Sequence, residues 1–369
     1  CFMKKIILSI CIACTALSFH SCTDFLDVDK YFYDMLSVDS AFSKRIYVDG
    51  WLANNYDYLC KADLSAYGSR LQWASDDLIH IDGKSLQQCN YSAGNLLHDD
   101  FKNHLKRCYE CIRKASTFIE KVVECKELTM EETSDMQGQA RFLRAFAYWS
   151  LIRTYGPVPL IPEHGLDVSL SYEELSLSRA KFDEIVDFID YDLSMAARSL
   201  PMTRTQNNLG RPTKGAALAL RARVLLFAAS PMSNGNEDFY NIKNLDGTVL
   251  YNLEYDESKW ARAAAAAEDV INLNKYELHV VAPDSKNPYS VIPPEHPEYS
   301  HLDFPNGWQN VDPYSSYKYI FDGTIRGSKN PELIFTRTGS DAEYGIQNLW
   351  NYKSMPRTSK GENRLAVTQ

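Results

Sequence analysis

A mainly α-helical fold is what this sequence predicts, and three observations carry the prediction. Apolar residues recur at helical spacing along much of the chain, cap and stop signals bracket those segments, and a Leu-Arg-Ala triplet appears in two of them. The clearest stripe is Phe182, Ile185, Val186, Ile189, Leu193, Ala196, Ala197 and Leu200, closed by Pro201. Its i, i+3, i+4, i+7 steps define one amphipathic helix of about 20 residues.

The other elements follow in chain order. A helix is expected near 39–59. Tyr109, Ile112, Ala115, Ile119 and Val122 share one face of a second, over about 101–125. Thr129 and Glu132 form a capping box that opens a third, which runs to Tyr155 and is stopped by Gly156-Pro157-Val158-Pro159. After the clear stripe, Thr213 caps a helix that ends before Pro231, with Ala216, Ala217, Ala219 and Ala222 permitting close approach by a neighbour. A last helix is expected over about 257–273, with Trp260, Ala264, Ala267, Val270 and Ile271 inward.

Leu143-Arg144-Ala145 and Leu220-Arg221-Ala222 occupy equivalent places in the second helices of successive hairpins. Stacked helix pairs with small-residue contacts are the logic of tetratricopeptide arrays, in which each unit buries its apolar face against its neighbours. The triplets are 77 residues apart, far from a clean 34-residue period, so insertions must separate the helices. Non-helical chain is expected mainly over 67–98 and 280–358. The second stretch is rich in Pro, Tyr, Asn and Gly, and Pro288, Pro293, Pro294, Pro297, Pro305 and Pro313 argue against a long helix there. Loops of that length in a compact protein usually carry function.

Composition narrows the classes. Of 369 residues, 45% are hydrophobic and 24% charged, as in globular proteins. A chain this long buries about three quarters of its unfolded surface, so neither disulfides nor a metal is needed for stability. The net charge of −9 argues against a nucleic-acid partner, because such affinity comes largely from basic residues that displace counterions. Lys4 and Lys5, an apolar stretch over 6–19, and Ser21-Cys22 match a secretory signal over 1–21, leaving 22–369 as a single mature domain. A cysteine at the cleavage point resembles a bacterial lipobox, with Cys22 lipidated; Phe19 and His20 depart from that pattern, and plain cleavage near Ser21 is the alternative.

No catalyst emerges. Cys108 and Cys111 form a CxxC, but it lies inside a helical pattern and no second pair completes a zinc site, which favours buried thiols. The carboxylate pairs Asp76-Asp77, Asp99-Asp100 and Glu131-Glu132 would be needed by a helical glycoside hydrolase, yet adjacent side chains diverge and Glu131-Glu132 sits where acids favour a helix N-terminus. His296 and His301 lack HExxH spacing, and neither a Gly-x-Ser-x-Gly elbow nor a phosphate-binding loop is present. No cofactor is implied.

Four blocks bear a resemblance. Cys22-Thr23-Asp24-Phe25-Leu26-Asp27, the run from Gln139 through Tyr148 to Ile161, Gly210-Arg211-Pro212-Thr213-Lys214-Gly215-Ala216-Ala217, and Asn330-Pro331-Glu332-Leu333-Ile334-Phe335 together resemble the SusD/RagB family. That resemblance implies a surface-exposed, lipid-anchored outer-membrane protein that captures nutrients, usually glycans, beside a SusC-like TonB-dependent transporter. It also implies a SusD-like fold of helical hairpins, here at about 101–155, 179–230 and 257–273, with a loop-rich ligand-binding region at about 280–358. Family members usually continue past Val367-Thr368-Gln369, so the resemblance further implies a C-terminal truncation.

The shared blocks read as fold determinants and specify no ligand residues. A glycan-binding face needs flat apolar rings for sugar C–H groups and amides or carboxylates for hydroxyls. Trp308, Asn310, Asp312, Tyr314 and Tyr317 supply both within ten residues and are the first candidates; Asn90 and Tyr91 are a second group. Trp350 and Tyr352 are weaker candidates. Capture of peptides, which some family relatives accommodate, is the alternative function.

Overall fold

The structure is a computed structural model, and it describes residues 38–62, 78–80, 99–162, 171–321, 324–325, 329–335 and 365–367. The signal segment, Cys22, Asn90, Tyr91, Trp350 and Tyr352 lie outside the described residues. The fold is α-helical and tetratricopeptide-like. Helices α1 (Arg45–Ala62), α2 (Asp99–Lys121), α3 (Met130–Tyr155), α4 (Phe182–Ser199), α5 (Lys214–Ala229) and α6 (Ser258–Ile271) each pack on the next in chain order. A short helix, α7 (Pro313–Phe321), follows, and the only strands among the described residues, Leu78–His80 and Leu365–Val367, pair antiparallel.

The helices stop and start where the chemistry requires. The Glu132 N–H donates to the Thr129 hydroxyl at 3.2 Å, and the Thr129 N–H returns a bond to the Glu132 carboxylate at 3.0 Å. At the other end of α3, Gly156 takes φ of 69°, a conformation costly for any side chain, and its N–H closes on the Ile152 carbonyl. The Thr213 hydroxyl accepts from the Ala216 N–H at 3.2 Å, as a cap should.

The predicted α4 stripe is the buried face: Phe182, Ile185, Val186, Ile189, Leu193, Ala196, Ala197 and Leu200 are all buried. Helix α3 is buried around most of its circumference from Met136 to Ile152, polar Gln139, Arg144 and Ser150 included, as befits a central helix covered by α2 on one side and α4 on the other. Cys108, Cys111 and Cys125 are buried.

The repeated triplet has a structural meaning. Arg144 is fully buried and pairs bidentately with the equally buried Asp192 of α4, Nε to Oδ2 at 2.7 Å and Nη2 to Oδ1 at 2.8 Å. Its Nη1 donates to Ser116 Oγ of α2 at 2.9 Å, so one guanidinium joins three helices. Arg221, its counterpart on α5, pairs with Asp190 of α4 and, at 2.9 Å, with Asp269 of α6.

Two expectations need correction. The 257–273 segment turns a different face inward: Ala263 and Ala266 are buried with Val270 half-buried, while Trp260, Ala264, Ala267 and Ile271 are exposed. Salt bridges fix this rotation, with Lys259 on Asp183 at 2.7 Å and Arg262 on Asp187 at 2.9 Å and Asp190 at 3.1 Å, all three acids on α4. The first long helix is Arg45–Ala62, behind a separate turn at Val38–Ala41. The proline-rich stretch holds the short α7 and no long helix among the described residues; a proline at the first helical position neither loses a helical hydrogen bond nor clashes.

Candidate functional site

The segment from Asn272 to Phe321 wraps outside the stack and is shaped by side-chain to backbone hydrogen bonds. Asp312 is the N-cap of α7 and is 1% exposed. Its Oδ1 accepts from the N–H groups of Ser315 at 3.1 Å and Val291 at 3.3 Å, and its Oδ2 accepts from the Ser315 hydroxyl at 2.8 Å. Its own N–H donates to the Val281 carbonyl at 2.7 Å. Burial opposes the charge on Asp312, but the bonds from Ser315, Ser290 and Val291 outweigh it and draw the carboxyl down to about 2.

These ties close an open cavity of about 470 Å³ bordered by Asp284, Asn287, Tyr289, Asp312, Tyr314 and Lys318. Tyr289 and Tyr314 are 65% and 44% exposed, their ring centroids 6.5 Å apart and their planes 34° from parallel. The Lys318 ammonium lies 5.7 Å from both centroids. Tyr314, Tyr317, Lys318 and Phe321 share the outer face of α7, and the exposed rings of Tyr317 and Phe321 touch at 4.9 Å between centroids.

A second aromatic group stands on the same segment. Trp308 is half-buried against Tyr299 at 5.4 Å and His296 at 5.9 Å, with its indole N–H donating to the Pro294 carbonyl at 3.3 Å. The turn that presents it needs Gly307, where any side chain would collide with the carbonyl oxygens of Tyr299 and Leu302.

The structure therefore divides the first candidate set. Tyr314 borders the cavity, Tyr317 lies farther along the same helix, and Trp308 belongs to a separate ring cluster. Asp312 is corrected from a candidate ligand contact to a caged structural acid, because nearly all its surface is taken by its own donors. Asn310 is half-buried, with its Oδ1 accepting from the Phe304 N–H at 3.0 Å. Tyr289, Lys318, Tyr299 and His296 were missed. The signal for Tyr289 was its place in an Asn287-Pro288-Tyr289-Ser290 turn, which holds a ring outward when Asn287 Oδ1 accepts the Tyr289 N–H at 3.0 Å.

Two exposed phenol faces with an amide, a carboxylate and an ammonium beside them match a ligand with flat C–H faces and many hydroxyls. Among the described residues no three His, Cys, Asp or Glu side chains gather as metal ligands would. Glu132 is occupied by its cap and by Arg45, with its carboxyl held below the ordinary range by the Thr129 N–H and the guanidinium.

Fold and site together define a helical scaffold that presents an aromatic cavity on its loops. The chain belongs to the SusD-like family, whose model, described as starch-binding associating with outer membrane, matches residues 24–226. That match ends before the cavity segment. A SusD-like protein of Bacteroides ovatus is 28% identical over 244 residues, 63% of this chain and 41% of its own. SusD-like protein P25 of Formosa agariphila is 27% identical over 120 residues, 32% of this chain and 22% of its own. The chain thus spans well under half the length of these relatives. Among solved structures, BT4246 superposes with a TM-score of 0.61 at 24% identity, covering 80% of this chain and 51% of its own. A SusD-like protein from Bacteroides fragilis gives 0.53 at 19%, covering 84% and 47%. At these identities the superpositions establish the fold.

Proposed function

We propose that the protein is a noncatalytic glycan-capture lipoprotein of the outer membrane, exposed at the cell surface, which hands saccharide to a SusC-like TonB-dependent transporter. Residues 1–21 are its export signal, Cys22 its lipid anchor, and 22–369 one functional unit. The Tyr289–Tyr314 pair on the open cavity is the observation that carries this reading. It offers rings for sugar C–H faces, with Asn287, Asp284 and Lys318 beside them for hydroxyls. The Trp308 cluster is a second, nearby contact, and Tyr317 with Phe321 extends the aromatic surface.

The test uses purified protein and a panel of starch, β-1,3-glucan, xylan and pectin, measured by calorimetry with wild type and Tyr314→Ala, alongside an assay for new reducing ends. The expected outcome is binding to at least one glycan, weakened about tenfold by the substitution, with no product. Release of reducing ends would instead favour a hydrolase, and binding confined to peptides would favour peptide capture. Metabolic labelling with palmitate, compared between wild type and Cys22→Ala, tests the anchor.

A further inference from the structure

We infer that Asp312 sets the spacing of Tyr289 and Tyr314 across the cavity, as a positioning residue that touches no ligand itself; its role in recognition rests on the proposed saccharide site. Three pieces of chain wall the cavity: the run at Val281, the turn from Asp284 to Val291, and α7. All three meet at Asp312. Its N–H holds Val281, its Oδ1 holds Val291, two residues past Tyr289, and both its oxygens hold Ser315, next to Tyr314.

A helix cap alone requires only the Ser315 N–H bond. The bond to the Val291 N–H, and the one from the Ser290 hydroxyl, reach the opposite wall and serve no helix. Apolar packing does not duplicate them, because among the described residues after Ala266 the buried side chains are Asp312, Ser315, Ser316 and Asn330, all polar. The two phenols are exposed and cannot fix their own separation. Two further bonds cross between the walls, Val281 N–H to Ser316 Oγ at 2.9 Å and Asn287 Nδ2 to Ser315 Oγ at 3.4 Å, and both end on the α7 turn that Asp312 caps. The carboxylate is the one group that holds all three pieces at once, and so the joint behind the 6.5 Å spacing of the rings.

The test compares wild type, Asp312→Ala and Asp312→Asn labelled with 3-fluorotyrosine. The ¹⁹F resonances of Tyr289 and Tyr314 are assigned from single Tyr→Phe variants, and affinity is measured for the panel glycan that wild type binds best. In Asp312→Ala, the Tyr289 and Tyr314 signals should shift and broaden while those of Tyr109, Tyr148 and Tyr155 in the helical stack stay in place, and affinity should fall about tenfold. Asp312→Asn, which keeps an acceptor for the Ser315 N–H, should fall between. Unmoved Tyr289 and Tyr314 signals in Asp312→Ala would overturn the inference. So would affinity within about twofold of wild type while Tyr314→Ala weakens binding about tenfold or more, or equal disturbance of the stack tyrosines. Moved ring signals in a protein that binds no glycan would support the spacing role and sink the saccharide reading instead.

Discussion

The stack from Arg45 to Ile271 and the segment from Asn272 to Phe321 are joined in one chain and held by different forces. The stack buries apolar side chains on every helix, from large rings and aliphatics on α2, α3 and α4 to two alanines on α6, and adds a fully buried Arg144–Asp192 pair. In the outer segment the buried side chains are polar, and large rings such as Tyr289, Tyr314, Tyr317 and Phe321 face solvent. The contrast separates two tasks. Apolar burial supplies the free energy of a fold, whereas hydrogen bonds of modest net worth fix geometry and leave apolar faces free to meet a ligand.

The largest expected effect breaks the stack. Asp192→Ala removes the counter-charge of a buried guanidinium and should cost about 3–5 kcal/mol in urea unfolding. A loss under about 1 kcal/mol would mean that Arg144 finds water or another partner. Leu193→Ala, on the same buried face, should cost about 2–5 kcal/mol by the same measurement. Thr129→Ala removes only the α3 cap and should cost about 1 kcal/mol.

Acid should act on the outer segment through Asp312. Its folded carboxyl lies near 2, below the ordinary unfolded value of about 3.9, so its contribution is present above the unfolded value and is lost as pH falls toward 2. A carbon-detected titration of the Asp312 carboxyl should give a midpoint near 2. A midpoint close to 4 would contradict the caging described here. The smallest effect is expected at Ile271→Ser, because that side chain is 72% exposed on α6 and its loss should change stability by no more than about 0.5 kcal/mol.

Helix α4 was legible because large apolar residues alternate sharply with acids, so the 3.6-residue period has one solution. Helix α6 was legible in extent and illegible in rotation. Five consecutive alanines, Ala263 to Ala267, give every face the same weight, and the pairing of Lys259 and Arg262 with acids about 70 residues away decides the matter. Helix α7 was hidden by Pro313, which resembles a breaker unless Asp312 is recognised as its cap. The site was legible as a region rich in rings and amides. Its grouping was not, since Tyr289 and Tyr314 are distant in sequence and are brought together by hydrogen bonds centred on Asp312 and Ser315, which leave no periodic trace.

The most direct measurement is a crystal structure of the protein with the panel glycan it binds best. A sugar ring should stack on Tyr314 or Tyr289, with hydroxyls reaching Asn287, Asp284 or Lys318 and Asp312 still enclosed by Ser315 and Val291. A saccharide bound elsewhere, with these two rings bare, would contradict it.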